Sequence, residues 1–174
     1  MQKVIKWVGI SGSWRKINQQ IESDVRASVR SIIKEGNGVV TGGALGVDYI
    51  ATDEVLKLNP SLDLLKIFLP VKLDIYEAHY RKRADEGVIT HKQAEELILQ
   101  LKKVKELNPK SIIENQINTE ANIDTYYERN TQIVNHSDEL IAFHVNESKG
   151  TQDTIDKTNT KGIPVKIFTY TITY

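Results

Sequence analysis

The chain has 174 residues, a length that suits one domain, and its 23 Lys and Arg residues balance 23 Asp and Glu residues. The zero net charge argues against dominant non-specific binding of nucleic acid, and the absence of Cys excludes disulfides, thiolate metal sites and cysteine nucleophiles. Since no apolar run approaches the ~18 residues of a membrane span, we expect a soluble, cytoplasmic domain over residues 1–174 with no membrane contact.

The first part of the chain alternates between strand and helix patterns. Runs rich in β-branched residues predict strands at Val4 to Ile10, Val39 to Thr41 and Leu64 to Leu69. Apolar residues at helical spacing predict helices from Ile21 to Ile33 and from Val47 to Leu58. Strands and helices joined by short connections indicate right-handed βαβ units and a parallel sheet.

The middle of the chain interrupts this alternation. Residues 74–122 begin with a charged helical stretch, and Ile112-Ile113 could form an edge strand. We interpret this segment as a helical insertion beside the sheet. The alternation then resumes with a helix at Ile123 to Asn135, a strand at Leu140 to Val145, a helix at Gly150 to Thr160 and a strand at Ile163 to Thr169. The predicted fold is α/β: a Rossmann-like open parallel sheet with helices on both faces and a helical insertion.

Small and polar residues follow three of the predicted strands. In open parallel sheets, ligands bind beyond the carboxyl ends of the strands, where bare N–H groups and helix starts can hold an anion. These turns therefore predict binding of a phosphate group. The candidate residues are Ser11, Gly12, Ser13 and Arg15 after the first strand, Thr41, Gly42, Gly43, Gly46 and Asp48 after the second, and Lys149, Gly150 and Thr151 at the start of a late helix.

Each of these turns also has a purely structural interpretation. The first is also compatible with an ordinary tight turn between a strand and a helix, although its position after the strand favours a functional role. Asp48 either orients a ribose hydroxyl or base, or is a carboxylate that favours the first turn of its helix. Thr151 either contacts the phosphate or caps its helix.

A further candidate surface lies on the helix that begins at Ile123. Helical spacing places Tyr126, Arg129 and Asn130 on adjacent positions of one face. Arg129 could hold a phosphate bidentately and a Tyr could stack on a base, although a solvated surface helix has the same pattern.

The four histidines have no spacing typical of metal ligands, so we predict neither a metal site nor a cofactor. His79 stands close to the basic run of Arg81, Lys82 and Arg83. This basic spot could face the predicted crevice, although such runs are more often solvated.

At these motifs the chain resembles the SLOG superfamily of Rossmann-like domains, and most closely the core of DNA-processing protein A. The resemblance rests on the Gly-Ser turn after the first strand, on Gly46-Val47-Asp48, and on Arg129-Asn130 followed by a helix and a strand. It implies that Arg129 lines an anion pocket. Thr131 stands where that family has a second Arg, and the chain has no room for that family's extra terminal domains.

A more distant resemblance is to the Lonely Guy phosphoribohydrolases. Gly150-Thr151 matches their Gly-Thr step, and Asp153 stands where they have the first glutamate of a catalytic motif. This resemblance implies Asp153 and Arg129 as catalytic residues that cleave the N-glycosidic bond of a nucleoside monophosphate.

Our leading hypothesis is that the protein binds a nucleotide or another phosphate-bearing small molecule. The alternatives are hydrolysis of a nucleoside monophosphate and binding of single-stranded DNA. A homodimer is also plausible by resemblance.

Overall fold

A computed structural model describes residues 1–173 of the chain, and the last residue, Tyr174, lies outside it. The strands are β1 (Trp7–Gly12), β2 (Gly38–Thr41), β3 (Leu65–Leu69), β4 (Ile112–Glu114), β5 (Glu139–Val145) and β6 (Val165–Tyr170). The helices are α1 (Gln19–Lys34), α2 (Val47–Leu58), α3 (Leu73–Asp85), α4 (His91–Leu107), α5 (Ile123–Asn135) and α6 (Lys149–Lys161), with a short 3₁₀ turn at Pro109–Ser111.

The strands form one parallel sheet in the order β4-β3-β2-β1-β5-β6. From β1 the chain runs outward to β4 and then returns to add β5 on the other side of β1. The strand order therefore reverses between β1 and β5, and such a switch point is where open α/β sheets form their ligand crevice. The predicted α/β fold with a parallel, Rossmann-like sheet is confirmed.

The helices cover the two faces of this sheet. Helix α1 packs on α2, which also contacts α4, whereas α5 packs on α6. Because right-handed crossovers leave the switch point in opposite directions, these two groups lie on opposite faces. The main core lies under α1 and α2 and includes Val8, Ile10, Val25 and Val55. Among residues 1–173, no helix has the length and apolar character needed to cross a membrane.

The first strand begins later than the sequence pattern predicts. The predicted strand starts at Val4, but Val4 is 88% exposed and β1 starts at Trp7. The neighbouring strand β2 begins at Gly38, directly opposite Trp7. The residues before Trp7 thus have no strand of the sheet beside them, and β propensity alone does not make a strand there.

Residues 74–122 supply part of the sheet as well as helices. Gly87, with a φ of 75°, follows α3, and Thr90 caps α4 through a capping box with Gln93. The predicted edge strand at Ile112-Ile113 is confirmed as part of β4, which pairs with β3. The segment is mainly helical, as predicted, but it does not stand wholly beside the sheet, because α3 and α4 form the crossover from β3 to β4. That residues 1–174 form a single domain stays a prediction.

Candidate functional site

A cavity of about 290 Å³ lies at the switch point of the sheet, beyond the carboxyl ends of β1 and β5. Small-molecule sites have volumes from about 300 Å³ upward, so this cavity is at the lower end of that range. Residues from both halves of the chain form its walls: Ile10, Ser11, Gly12, Trp14, Ala44, Asp48, His79, Tyr80, Arg83, Ile123, Tyr126, Tyr127, Arg129, Asn130, Ile133 and Ser148 to Thr151.

The structure brings together residues from all three predicted turns and from the predicted helix face. The predicted residues that line the cavity are Ser11, Gly12, Asp48, Arg129, Asn130, Lys149, Gly150 and Thr151. The remaining predicted residues lie outside its walls: Ser13, Arg15, Thr41, Gly42, Gly43, Gly46 and Asp153. The cavity is thus built around α5, the start of α6, the end of β1 and the start of α2.

The start of α6 is the part of the cavity best suited to an anion. The N-cap residue, Ser148, makes no side-chain capping bond, and the first N–H groups of a helix have no partner within it. Thr151 is 2% exposed, and its hydroxyl has no hydrogen-bond partner among residues 1–173. The positive end of a helix, Thr151 and Lys149 therefore meet at one wall of the cavity.

The loop before α6 contains two residues in the left-handed region of backbone conformation. Asn146 and Glu147 have φ values of 48° and 54°. A left-handed conformation costs about 1–2 kcal/mol for a residue with a Cβ. The Asn146 amide offsets part of this cost by bonding both the N–H and the C=O of Ile172, at 2.8 and 2.9 Å. Such strain clusters at ligand-binding positions.

The turn after β2 is occupied by groups of the protein itself. The Gly42 carbonyl accepts a hydrogen bond from Arg129 Nη1, and the Gly43 carbonyl accepts one from the Tyr76 hydroxyl at 3.1 Å. The Val47 N–H donates to the Ser13 carbonyl at 3.0 Å. These contacts do not support the prediction that Gly42, Gly43 and Gly46 hold a phosphate. They connect the turn to the rest of the fold.

Asp48 takes the place that an anion would have at the start of α2. Its side chain is 7% exposed and accepts the Ala44 N–H at 3.2 Å. Burial raises the pKa of the Asp48 carboxyl, whereas the Arg129 charge, the Thr41 hydroxyl and the Ala44 and Gly42 N–H groups oppose that rise. Asp48 lines the cavity as a carboxyl group that releases its proton less readily than usual.

The raised pKa of Asp48 predicts a pH-dependent effect of Asp48→Asn. The folded-state pKa lies above the 3.8 of the unfolded chain. The contribution of this carboxyl to the free energy of unfolding is therefore fully present below pH 3.8, and it is lost as the pH rises through the folded-state pKa. The gain in unfolding free energy on Asp48→Asn should therefore grow as the pH rises from 3.8, as measured by urea unfolding at several pH values. Asp63→Asn should show the opposite trend, since hydrogen bonds from Ser61 and Asn59 lower the pKa of Asp63. A gain for Asp48→Asn that does not vary with pH would contradict the assignment.

Arg129 and Asn130 lie side by side on α5, as the helical spacing predicts. Arg129 Nε donates to Asn130 Oδ1 at 3.1 Å, and the guanidinium lies 5.3 Å from the ring centre of Tyr126. A guanidinium carries five N–H groups, and its bonds to Gly42 and Asn130 use two of them.

Asp153 is not among the residues that line the cavity. Its carboxylate accepts from Lys157 at 2.7 Å and from the Asn130 amide at 3.1 Å. The role implied by the Lonely Guy resemblance needs a carboxylate close to a sugar, and these contacts do not favour it. Ser13 and Arg15 likewise contact other parts of the protein. The Ser13 hydroxyl accepts a hydrogen bond from the Lys16 N–H, and the Arg15 guanidinium lies over the Trp14 ring.

Aromatic side chains form another part of the cavity wall. Tyr80 makes edge-to-face contacts with Trp14 and His79, at 6.4 and 5.8 Å between ring centres, and His79 lies 6.1 Å from Tyr126. Burial raises the pKa of the Tyr80 and Tyr126 hydroxyls, which therefore stay protonated at neutral pH. Burial and the Arg83 charge lower the pKa of His79, which favours a neutral ring.

The basic spot on α3 faces the cavity only in part. His79 and Arg83 line it, whereas Arg81 pairs with Glu77 at 2.8 Å and Lys82 lies 3.9 Å from Glu86.

Sequence reasoning left out Tyr80 and Trp14 as site residues. The spacing of Tyr76, Tyr80 and Ala84 along one helix could have indicated that this face is buried against other parts of the fold.

Metal binding has no support from a residue cluster. Within the described range 1–173, no three His, Asp or Glu side chains are grouped so that they could hold an ion.

Comparison with known proteins identifies relatives by fold. No model of a protein family matches the sequence, and no curated protein matches it. DNA processing protein A from Helicobacter pylori is 19% identical, with a TM-score of 0.67 over 93% of this chain and 64% of that one. The chain thus spans somewhat less than two thirds of that protein.

Two further solved structures share the fold. The molybdenum cofactor binding protein from the phototrophic bacterium Rippkaea orientalis is 17% identical, with a TM-score of 0.60 over 97% of this chain and 79% of that one. DNA processing protein A from Streptococcus pneumoniae is 13% identical, with a TM-score of 0.50 over 92% and 58% of the two chains. The fold that the resemblance to DNA-processing protein A implies is thereby confirmed.

Proposed function

We propose that the protein binds a nucleotide or a nucleotide derivative, with the phosphate at the start of α6. The observation that carries this proposal is the buried hydroxyl of Thr151, a residue of the cavity wall, because this hydroxyl lacks a hydrogen-bond partner among residues 1–173. A buried hydroxyl without a hydrogen bond costs about 1–3 kcal/mol. A phosphate oxygen beside the first turn of α6 would remove that cost and would accept the helix N–H groups as well.

The rest of the cavity suits the other parts of a nucleotide. The rings of Trp14, Tyr80 and Tyr126 give an apolar surface for a base, and Arg129 and Lys149 balance the phosphate charge. Asp48 supplies a polar group for a sugar hydroxyl.

Isothermal titration calorimetry tests the proposal. The four common nucleoside monophosphates are compared with their nucleosides and with inorganic phosphate. We expect at least one monophosphate to bind, and about tenfold more tightly than its nucleoside, which corresponds to about 1.4 kcal/mol from the phosphate. If the folded protein binds none of the monophosphates, the proposal is wrong.

Thr151→Val separates a ligand contact from a structural role. It removes the unsatisfied hydroxyl and keeps the shape, so we expect the free protein to gain about 1 kcal/mol of unfolding free energy while nucleotide binding weakens about tenfold. Thr52 is the matched control, because its hydroxyl is also buried and without a partner among residues 1–173, but it lies outside the cavity. Thr52→Val should stabilise the protein and leave binding unchanged. If Thr151→Val and the original protein bind the nucleotide equally tightly, the Thr151 hydroxyl does not contact the ligand.

Single-stranded DNA is the alternative partner. The Helicobacter pylori protein binds single-stranded DNA, and a strand presents the same phosphate chemistry. An oligonucleotide that shifts in a gel, with an affinity that falls steeply with salt, would favour DNA over a free nucleotide. Homodimer formation and the cytoplasmic location stay predictions.

A further inference from the structure

A chain of hydrogen bonds connects the middle of α6 to Arg129 in the cavity. Lys157 Nζ donates to the Asp153 carboxylate at 2.7 Å, and the Asn130 amide donates to the same carboxylate oxygen at 3.1 Å. Asn130 Oδ1 in turn accepts Arg129 Nε at 3.1 Å, and Arg129 Nη1 reaches the Gly42 carbonyl. The chain therefore crosses from α6 to α5 and ends at the turn after β2.

The chemistry of the partners allows only one orientation of the Asn130 amide. A guanidinium only donates hydrogen bonds and an ionised carboxylate only accepts them. The amide oxygen must therefore face Arg129 and the amide nitrogen must face Asp153. Asn130 is 5% exposed, so water cannot readily replace either partner. Its nitrogen also lies 3.4 Å from the Gly150 carbonyl, in the first turn of α6.

Lys157 holds the far end of this chain. Besides Asp153, its ammonium group donates to the Tyr127 carbonyl on α5 at 2.8 Å and lies 5.4 Å from the Tyr127 ring centre. Lys157 thus balances the charge of the carboxylate and joins it to the helix that carries Arg129.

We propose that Asp153 and Lys157 are positioning residues, which hold the Arg129 guanidinium towards a phosphate through the Asn130 amide. This inference rests on the proposed function and deepens it, because it assigns a role at that site to two residues outside the cavity walls. Asp153 then acts on the ligand through hydrogen bonds and not by direct contact. Loss of the chain should weaken the part of the affinity that comes from the phosphate and leave the part that comes from the base.

An exchange of the two side chains tests this assignment. Asn130→Asp alone places two carboxylates together, and Asp153→Asn alone removes the charge that Lys157 and Asn130 share. Each should weaken binding of the nucleoside monophosphate about tenfold and leave binding of its nucleoside unchanged. The double variant with both substitutions keeps one carboxylate and one amide, so that Arg129 and Lys157 can both donate again, and should recover most of the affinity.

Two more variants complete the experiment. Asp156→Asn is the control, since Asp156 lies on the same helix and its carboxylate accepts a hydrogen bond from the Gln152 amide at 2.7 Å, so this substitution should change neither affinity. Lys157→Met leaves the amide and the carboxylate in place and should weaken nucleotide binding alone, which keeps the test decisive if a single exchange variant does not fold.

The possible failures are distinguishable. If the original protein binds no monophosphate, the proposed function fails. If it binds one, and Asp153→Asn and Lys157→Met bind it as tightly, or weaken nucleoside and nucleotide binding equally, the positioning role is wrong. A double variant that folds but stays as weak as the single ones would also overturn it.

Discussion

Gly46→Ala is expected to lower the free energy of unfolding by about 2–5 kcal/mol, since a left-handed residue with a Cβ costs about 1–2 kcal/mol and steric overlap in a well-packed region adds about 1–3. Gly46 has a φ of 72°, and a Cβ there would overlap the Ser13 carbonyl oxygen and lie 2.9 Å from Trp14 backbone atoms. The neighbouring backbone cannot move freely, because the Ser13 carbonyl also accepts the Val47 N–H. Urea unfolding followed by circular dichroism measures the loss.

Gly87→Ala is the matched control for this substitution. Gly87 has nearly the same φ, 75°, but a Cβ there would meet nothing within 4 Å. Its replacement should therefore show the backbone cost alone, about 1–2 kcal/mol. Equal losses for the two variants would mean that the contact between the turns after β1 and β2 contributes nothing.

Arg129→Met is expected to weaken nucleoside monophosphate binding about 100-fold, because hydrogen bonds to a charged group contribute about 1.5–3 kcal/mol. The substitution keeps the length of the side chain over the Tyr126 ring but removes the charge and every donor. It also removes the charge that opposes the rise in the Asp48 pKa. We therefore expect the Asp48 pKa to rise further in this variant, which carboxyl titration by NMR would detect.

The control for Arg129→Met removes a similar charge elsewhere. Arg81 pairs with Glu77 on the exposed side of α3, so Arg81→Met should change the affinity little once salt screens long-range attraction. If the two variants bind equally well in calorimetry, Arg129 does not contact the phosphate.

Much of the fold follows from local patterns in the sequence. Helix α5 has the predicted bounds, Ile123–Asn135, because the Asn122 side chain caps it by accepting the Thr125 N–H. The first residue of β1 could not be predicted in this way, since the bounds of a strand depend on where the neighbouring strands begin. The same limit applies to Ile112-Ile113, where a pattern of two apolar residues became a strand only through pairing with β3.

Some residues of the candidate site could likewise be predicted from local sequence, and others could not. Spacing on α5 and the small residues at the start of α6 indicated Arg129, Asn130 and Thr151, since one helix face and one helix end are local features. The contact of the Gly42 carbonyl could not be predicted from local sequence, because its donor, Arg129, lies on a helix that is distant in the chain. Tyr80 was missed for the same reason, since only tertiary contact turns α3 towards the crevice.

The strand order places the cavity between parts of the chain that are far apart in sequence. Trp14, Asp48 and Tyr80 come from its first half, whereas Arg129 and Thr151 come from elements that join the sheet only after the chain has returned past β1. A fragment that ends before α5 would keep Trp14 and Tyr80 but lack Tyr126 and the start of α6. A fragment that begins at α5 would keep Tyr126 and the start of α6 but lack Trp14 and Tyr80. Ligand recognition thus reports on assembly of the whole sheet, and an occupied cavity would hold the early and late segments together.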